Sequence, residues 1–593
     1  MRFVIKSASK GGYLICNDPE VALAATKPSE LRELLGQVEQ LQTEGYTVAG
    51  WLSYEAACGF DDRFRVHEGQ DFPIAVMLAS RSVEVADLPE LSYPELSHPE
   101  LHCLPRIKQA EYSARYDQLI ELIHSGDLYQ ANFSFRTSVE TVEDGYELFC
   151  HLESQHPMPY ASFVEFEQWQ VVCSSPELFL RKQDQVICSE PMKGTAPRGL
   201  WFEQDEKNRE FLETDEKNRA ENLMIVDLMR NDLSKICEPG SVTVPSLFES
   251  KRFPSLHQMV SQVEGSLLPD LTLFETLKAT FPAGSITGTP KFRAMEVIND
   301  LEIDARKAYT GSIGVFLPNG DFELNVAIRT VVIDTESGGA ELGIGSGVVS
   351  SSSRHAEWQE CLLKGEFLNY SAGFGEIFET ILWSDDYHWL DEHIERLARS
   401  CHYFLVPFDE QQVRSKLELL TDQFAASHNR VRLAISRKGI ISVTSQPLNT
   451  LGWDKATLKV RLMDSAVDAS SPYQYHKTDH REHYDTAYAE AVAAGFSEAL
   501  FLNEQGFLAE GAITNIFVLV DGRWLTPSIE SGILPGIWRG KAMQQLEACP
   551  SLIDMDMLVA AEKIVIGNSL RFENEVSEIW SAETLVWSKK ISE

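Results

Sequence analysis

DEKNRAENLMIVDLMRNDLSKI, residues 215 to 236, joins a charged lead-in to a run whose apolar side chains return every three to four positions. That period is the mark of a helix with one face against a core. The same DEKNR stands ten residues earlier, at 205 to 209, where a run of mixed charge predicts a solvated helix face. On the C-terminal side of this helix, and before it, strand-like runs such as ASFVEF (161–166) and WQVVCSS (169–175) alternate with long helical patterns from about 105 to 365. A large α+β unit is the expectation.

Residues 1–104 read as mixed strands and helices, closing in LPELSYPELSHPELHCLP (88–105), an imperfect PEL repeat expected to cross the surface as a loop. At GEFLNYSAGFG (365–375) the texture changes to shorter strands and helices. The expected organisation is a first domain over 1–365, a linker at 366–373 and a second α/β or α+β domain over 374–593. A chain of 593 residues is too long for one core.

Composition excludes several functions. With 52 basic against 89 acidic residues, a net charge of −37, the long-range field repels nucleic acid and anionic membrane. A small anionic substrate remains open only where local cations or backbone amides overcome that field. Ten cysteines without a CxxC pair, and an N-terminus without the apolar stretch of a signal peptide, predict a reducing cytoplasm. No apolar run approaches the roughly 18 residues of a membrane span.

Candidate chemistry in the first domain begins with acids. Glu357 and Glu360, and Asn218 and Glu221, stand three apart on expected helices, so each pair shares a face. Carboxylates converging from two helices suit Mg²⁺, although such pairs are also common on exposed helices. PMKGTAPRG (191–199) holds Lys193 between Pro191 and Gly194 at an expected strand-to-turn transition. A lysine there is a nucleophile if its surroundings depress its pKa, and a plain turn lysine otherwise. Glu177 in SSPELF is a candidate general acid. Glycines in FPAGSITGTPKFRAMEVI (281–298), AYTGSIGVF and GIGSGVV would let backbone amides reach an anion, and Arg329 could pair with a carboxylate.

Taken in order, GDLYQANFS, SSPELF, PMKGTAPRG, KNRAENLMIVDLMRNDLSKICEPGSV, FPAGSITGTPKFRAMEVI, AYTGSIG, IRT and AEWQE resemble the chorismate-utilising family, the component I subunits of anthranilate and aminodeoxychorismate synthases. GWLSYEAACGFD (50–61) extends the resemblance into a region where some relatives hold a tryptophan. The resemblance implies an α/β sandwich in which Glu221 and Glu360 ligate Mg²⁺, with Glu357 and Asn218 nearby. It implies that His257, Thr287, Tyr309, Arg329, Gly347 and Lys364 surround chorismate, and that Glu177 protonates the departing 4-hydroxyl. Aminodeoxychorismate synthases carry lysine at the Lys193 position and anthranilate synthases alanine, so Lys193 implies addition at ring C2 and a second displacement by ammonia at C4. Ser346, Ser351 and Asn218 depart from the usual pattern. No cysteine sits in a GxCxG-type elbow, so a separate glutamine amidotransferase, or free ammonia, is the expected nitrogen source.

In the second domain HKTDHREHYDTAY (476–488) places Lys477 at the head of an expected helix, and FLNEQGFLAEGAITNIF (501–517) reads as two strands joined at Glu504–Gly506. LPGIWRG reads as a helix N-terminus able to hold phosphate. FETILW, LDEHIERLARS, HKTDHREHYD, LAEGAITNIF, LPGIWR and IGNSLRF together resemble fold-type-IV pyridoxal-phosphate enzymes: aminodeoxychorismate lyases and branched-chain and D-amino-acid aminotransferases. The resemblance implies a two-subdomain α+β unit with pyridoxal 5'-phosphate on Lys477 and Glu510 at the pyridine nitrogen. It assigns the phosphate to Arg396, Ser569 and the amides of Ile537 and Trp538. Trp538 stands where relatives often have Thr or Met. A homodimer through this domain is the family's habit. Context favours the lyase, because the first domain would make its substrate, and the expected product is 4-aminobenzoate. The rivals are an anthranilate- or isochorismate-type synthase joined to an aminotransferase, and an inactive scaffold.

Overall fold

The computed structural model describes residues 1–69, 71–88, 101–140, 142, 144–422, 424, 426–448, 453 and 458–589. The PEL repeat falls mostly at 89–100, outside the described residues. By its internal contacts the chain forms two compact units: one of Met1–Ala196, Phe211–Arg252 and His257–Ala372, the other of Pro197–Glu210, Phe253–Leu256 and Gly373–Glu593. The short segments 197–210 and 253–256 therefore belong to the second unit, although the sequence places them within 1–365. Residues 366–369, expected within a linker, form a 3-10 turn with Phe367 and Leu368 buried.

Among the described residues the first unit is built on two ten-stranded sheets. In one, Gln130–Val139 lies between Gly288–Thr289 and Gly339–Val349, followed by Thr330–Asp334, Trp169–Ser175, Tyr160–Phe166 and Arg2–Ser7. In the other, Met192–Pro197 adjoins Leu256–Ser266, followed by Val186–Glu190, Leu178–Gln183, Phe322–Asn325, Ser312–Phe316 and Thr47–Leu52. Alternating side chains of both sheets meet in one core: Phe3, Ile5, Val164 and Val171 from the first, Trp51, Val76, Ile313 and Val315 from the second. This is the expected α/β sandwich.

Helices cover the outer faces. Glu216–Ser234, capped by the Asp215 carboxylate on the Asn218 amide at 2.9 Å, buries Ile225, Val226, Met229 and Leu233 against the second sheet's core, with Leu34, Leu35 and Leu277. The period read from 221–236 is that buried stripe. On the first sheet, Tyr112 of helix Gln109–His124 stacks on Phe133, and Trp358 of helix Arg354–Leu363 stacks on Phe135.

The second unit has two subdomains. A four-stranded sheet of Asp386–Tyr387, Glu376–Ser384, Asn429–Ser436 and Ile441–Pro447 packs on helices Leu390–Phe404 and Glu410–Thr421. Two five-stranded sheets form the other and share a core of Val460, Leu500, Leu508, Ile516, Val518, Ile564 and Ile566.

Three local expectations need correction. The first DEKNR lies on a helix, Phe202–Thr214, but Asp205 is 1% exposed rather than solvated. It accepts from Arg198 Nε at 2.7 Å and from the Gly199 amide at 2.9 Å, so a charged partner and a backbone donor offset its burial. Lys477 does not head the helix, which starts at Glu482. Its carbonyl instead accepts from the Phe378 amide at 2.9 Å, pinning it to the neighbouring strand. Lys193 lies inside the strand Met192–Pro197, and the turn-like feature is Gly194, whose φ of +94° only glycine adopts at little cost.

Candidate active sites

Lys193 is held where an edge strand meets the first turns of helix Glu216–Ser234. Asn222 Nδ2 donates to the Lys193 carbonyl at 3.3 Å, and Ser261 Oγ donates to Asn222 Oδ1 at 2.6 Å. A side chain at Gly194 would come within 3.1 Å of Asn218. Burial first, and the Lys364 ammonium second, hold the Lys193 amine below the ordinary lysine range, with Glu177, Glu221 and Glu360 pulling the other way. A lysine so placed carries more neutral amine, the form that attacks carbon.

Glu177, in the turn between Trp169–Ser175 and Leu178–Gln183, is 4% exposed. Burial pushes its carboxyl up to about 7, against the opposing pull of Ser285 and Lys193. Ser285 Oγ donates to Glu177 Oε1 at 2.6 Å. A carboxyl that keeps its proton near neutrality is suited to act as a general acid.

Of the other predicted residues, Gly347 and Lys364 lie near Lys193. Lys193 Nζ lies 2.7 Å from the point a Cβ on Gly347 would occupy, so a side chain at Gly347 would displace the amine. Lys364 donates to the Gly345 carbonyl at 2.9 Å and pairs with Glu360 at 2.7 Å. Tyr309 is buried, with the Arg136 guanidinium over its ring at 5.1 Å. His257, fully buried, is the second residue of Leu256–Ser266, the strand next to the one that carries Lys193. Thr287, also fully buried, accepts from the Asn132 amide at 2.7 Å through its carbonyl.

Arg329 has φ +51°, a left-handed conformation that costs a non-glycine residue about 1 kcal/mol or more. Burial lowers its guanidinium to about 10. Among the described residues it has no carboxylate partner, only a contact from Nη1 to Met158 Sδ at 3.8 Å. A desolvated guanidinium with no carboxylate partner among the described residues suits an anion, even in a chain of net charge −37.

The proposed metal ligands come from two helices. Burial raises Glu221, and Glu357 and Glu360 push the same way by like charge, opposed by Lys193 and Lys217. Burial is the largest influence on Glu360 and acts to raise it, but the charge and hydrogen bond of Lys364 together with the Lys193 and Lys217 charges lower that carboxyl overall. Among the described residues no three His, Cys, Asp or Glu side chains are close enough to form a metal-binding group. Glu221 and Glu360 pair with Lys217 at 3.9 Å and Lys364 at 2.7 Å; a small set of carboxylates of this kind is compatible with Mg²⁺, which binds through one or two carboxylates and keeps several waters.

In the second unit, Lys477 and Glu510 line one cleft with Arg481, Tyr484, Thr514 and Asn515. Burial, then the Arg481 and Arg396 cations, depress the Lys477 amine to about 7. Glu510 accepts from Asn515 Nδ2 and the Leu534 amide, each at 3.1 Å, and burial pushes it up to about 8. Arg396, Ile537, Trp538 and Ser569 do not line this cleft. Arg396 grips Glu379 through Nε at 2.8 Å and Nη2 at 2.6 Å, and His393 Nδ1 shares the same carboxylate at 2.7 Å. Helix Ile537–Gln545 begins after Gly536, so the Ile537 and Trp538 amides stand at a helix N-terminus. The Trp538 ring is 4% exposed and packs edge-on to Phe517, leaving only its backbone for a ligand. Ser569 sits in a turn in which Asn568 Oδ1 accepts from the Leu570 and Arg571 amides. A desolvated lysine facing a buried carboxyl fits pyridoxal phosphate.

Ser285, Asn222, Gln130 and Arg481 were not singled out from the sequence. All four lie inside quoted motifs, FPAGSITGTP, KNRAENLMIVDLM, GDLYQANFS and HKTDHREHYD, and that was their only signal.

Comparisons with known proteins cover both units. Residues 376–579 match the class IV amino-transferase family. The chain is 42% identical over 260 residues to a probable aminodeoxychorismate synthase, chloroplastic, of Oryza sativa subsp. japonica, covering 43% of this chain and 29% of that protein. It is 40% identical over 254 residues to aminodeoxychorismate synthase component 1 of Klebsiella aerogenes, covering 43% of this chain and 56% of that protein. The chain thus spans no more than about half the length of these relatives. Anthranilate synthase component I from Streptococcus pneumoniae TIGR4 superposes with a TM-score of 0.53 at 25% identity, covering 62% of this chain and 92% of its own. Residues 3–370, more than half of the sequence and all of the Lys193 and Arg329 surroundings, match the chorismate binding enzyme family, to which this chain belongs.

Proposed function

We propose that the chain converts chorismate and ammonia to 4-amino-4-deoxychorismate in its first unit, and that compound to 4-aminobenzoate and pyruvate in its second. The observation that carries the reading is the amine of Lys193, depressed by burial and under the field of a carboxyl raised to about 7 on Glu177.

In the first reaction Lys193 Nζ adds to ring C2. The two ring double bonds shift by one carbon, and the C4–O bond breaks as Glu177 gives its proton to the leaving oxygen. Ammonia then adds at C4, the double bonds return and Lys193 departs from C2. Two displacements leave nitrogen at the position of the lost hydroxyl. Arg329 would bind a substrate carboxylate, and Glu221 and Glu360, with Glu357, would hold Mg²⁺, which supplies positive charge for a second carboxylate. Ammonia is expected from a separate glutamine amidotransferase, in keeping with the name component 1 of the Klebsiella aerogenes relative.

In the second reaction Lys477 would carry pyridoxal phosphate, with Glu510 at the pyridine nitrogen and the Ile537 and Trp538 amides, Arg396 and Ser569 at the phosphate. The cofactor when bound supplies an electron sink. Lys477, depressed to about 7, takes the proton from ring C4, and loss of the enolpyruvyl group as pyruvate makes the ring aromatic.

Purified chain with chorismate, Mg²⁺, ammonium and pyridoxal phosphate is expected to yield equal amounts of 4-aminobenzoate and pyruvate, and Lys193→Ala to yield neither. Formation of 2-aminobenzoate would overturn the proposal.

A further inference from the structure

Gln130, from the GDLYQANFS motif, has no role in the reaction as written. It begins the strand Gln130–Val139, in register with Thr289 on one side and Val349 on the other. Its side chain is 1% exposed, and both amide atoms are buried without a hydrogen-bond partner among the described residues. Folding rarely leaves both ends of an amide unsatisfied, and such groups mark places where a ligand or a moving side chain completes the bonding.

The location of the amide identifies that partner. Gln130 Nε2 lies 3.4 Å from the point a Cβ on Gly347 would occupy, and Lys193 Nζ lies 2.7 Å from the same point. The two side chains converge over the bare glycine. The charges around the amine, Lys364, Glu177, Glu221 and Glu360, act through space. No hydrogen bond among the described residues involves its Nζ, and a four-carbon stem does not by itself aim a lone pair. The amide oxygen and nitrogen exchange places by a half-turn about the last side-chain bond, and neither is committed elsewhere.

We propose that Gln130 is a positioning residue for Lys193: its amide oxygen accepts a hydrogen bond from the neutral amine and directs the nitrogen lone pair toward ring C2. Gly347 complements it by leaving the space the amine occupies. This inference rests on Lys193 being the nucleophile.

The test uses the full chain with Mg²⁺ and chorismate, ammonium withheld, quenched at intervals and analysed by mass for a chorismate-derived adduct at Lys193, alongside steady-state kinetics with ammonium. Gln130→Met keeps the length and loses the acceptor. It is expected to slow adduct formation and lower kcat by roughly tenfold or more, the order that misalignment of a reacting group costs, with KM for chorismate within about threefold. Gln130→Asn, whose amide stops one methylene short, is expected to fall between the two. Should the methionine variant fail to fold, at least a threefold loss in the asparagine variant decides in its place. Adduct formation at the wild-type rate, or a raised KM with kcat kept, overturns the role given to Gln130 alone. A wild-type chain that never forms the adduct overturns the nucleophile and this inference with it.

Discussion

Removing the hydroxyl of Ser285 should move the pH profile of the first reaction upward. Ser285 Oγ donates to Glu177 Oε1 at 2.6 Å, inside a site where the carboxyl is 4% exposed and raised to about 7. The bond favours the carboxylate, so Ser285→Ala must raise that value further. A hydrogen bond to a charged group contributes about 1.5–3 kcal/mol. The protonated carboxyl can reverse the bond and donate to the serine, so the lower end applies, about one pK unit at 1.36 kcal/mol each. The sign for activity follows from the role. A general acid works only while protonated, so kcat/KM for chorismate is expected to fall as pH rises through about 7 in the wild type, and through about 8 in Ser285→Ala. At pH 8 the wild type would keep about a tenth of its acid form and the variant about half. Chorismate consumption with saturating ammonium and Mg²⁺, followed from pH 6 to 9.5, reads both limbs. A descending limb that stays in place, or moves to lower pH, would show that Glu177 is not the proton donor.

Other outcomes are expected from the same geometry. Lys477→Ala should abolish the borohydride-sensitive visible absorbance with pyridoxal phosphate and stop 4-aminobenzoate release, while chorismate is still consumed. Arg329→Lys keeps one charge but loses the planar fork, and kcat/KM for chorismate should fall about 30-fold or more, for a loss of about 2 kcal/mol or more; an unchanged value removes Arg329 from the substrate site. Chelation of divalent cations should halt chorismate consumption and restore it on Mg²⁺ addition, with the absorbance due to Lys477 unaffected throughout.

Much of the chemistry was legible in the linear sequence because it rides on short-range patterns. The 221–236 period foretold a helix that buries Ile225, Val226, Met229 and Leu233, and LPGIWRG foretold a helix beginning at Ile537. Lys193, Glu177, Lys477 and Glu510 drew notice through the ordered motifs around them, and the sandwich was implied by the resemblance of those motifs, while two large α+β units followed from alternating strands and helices.

Tertiary structure alone decided how those groups are tuned. Ser285 reaches Glu177 across 108 residues of sequence, and Gln130 converges with Lys193 over Gly347, which belongs to a third segment. Asp205 reads as one more surface charge until Arg198 and the Gly199 amide are seen to bury it. Periodicity reports which face of an element is apolar. It carries no information about which distant strand will lie beside it, and desolvation, charge pairing and hydrogen bonding are set by that neighbour.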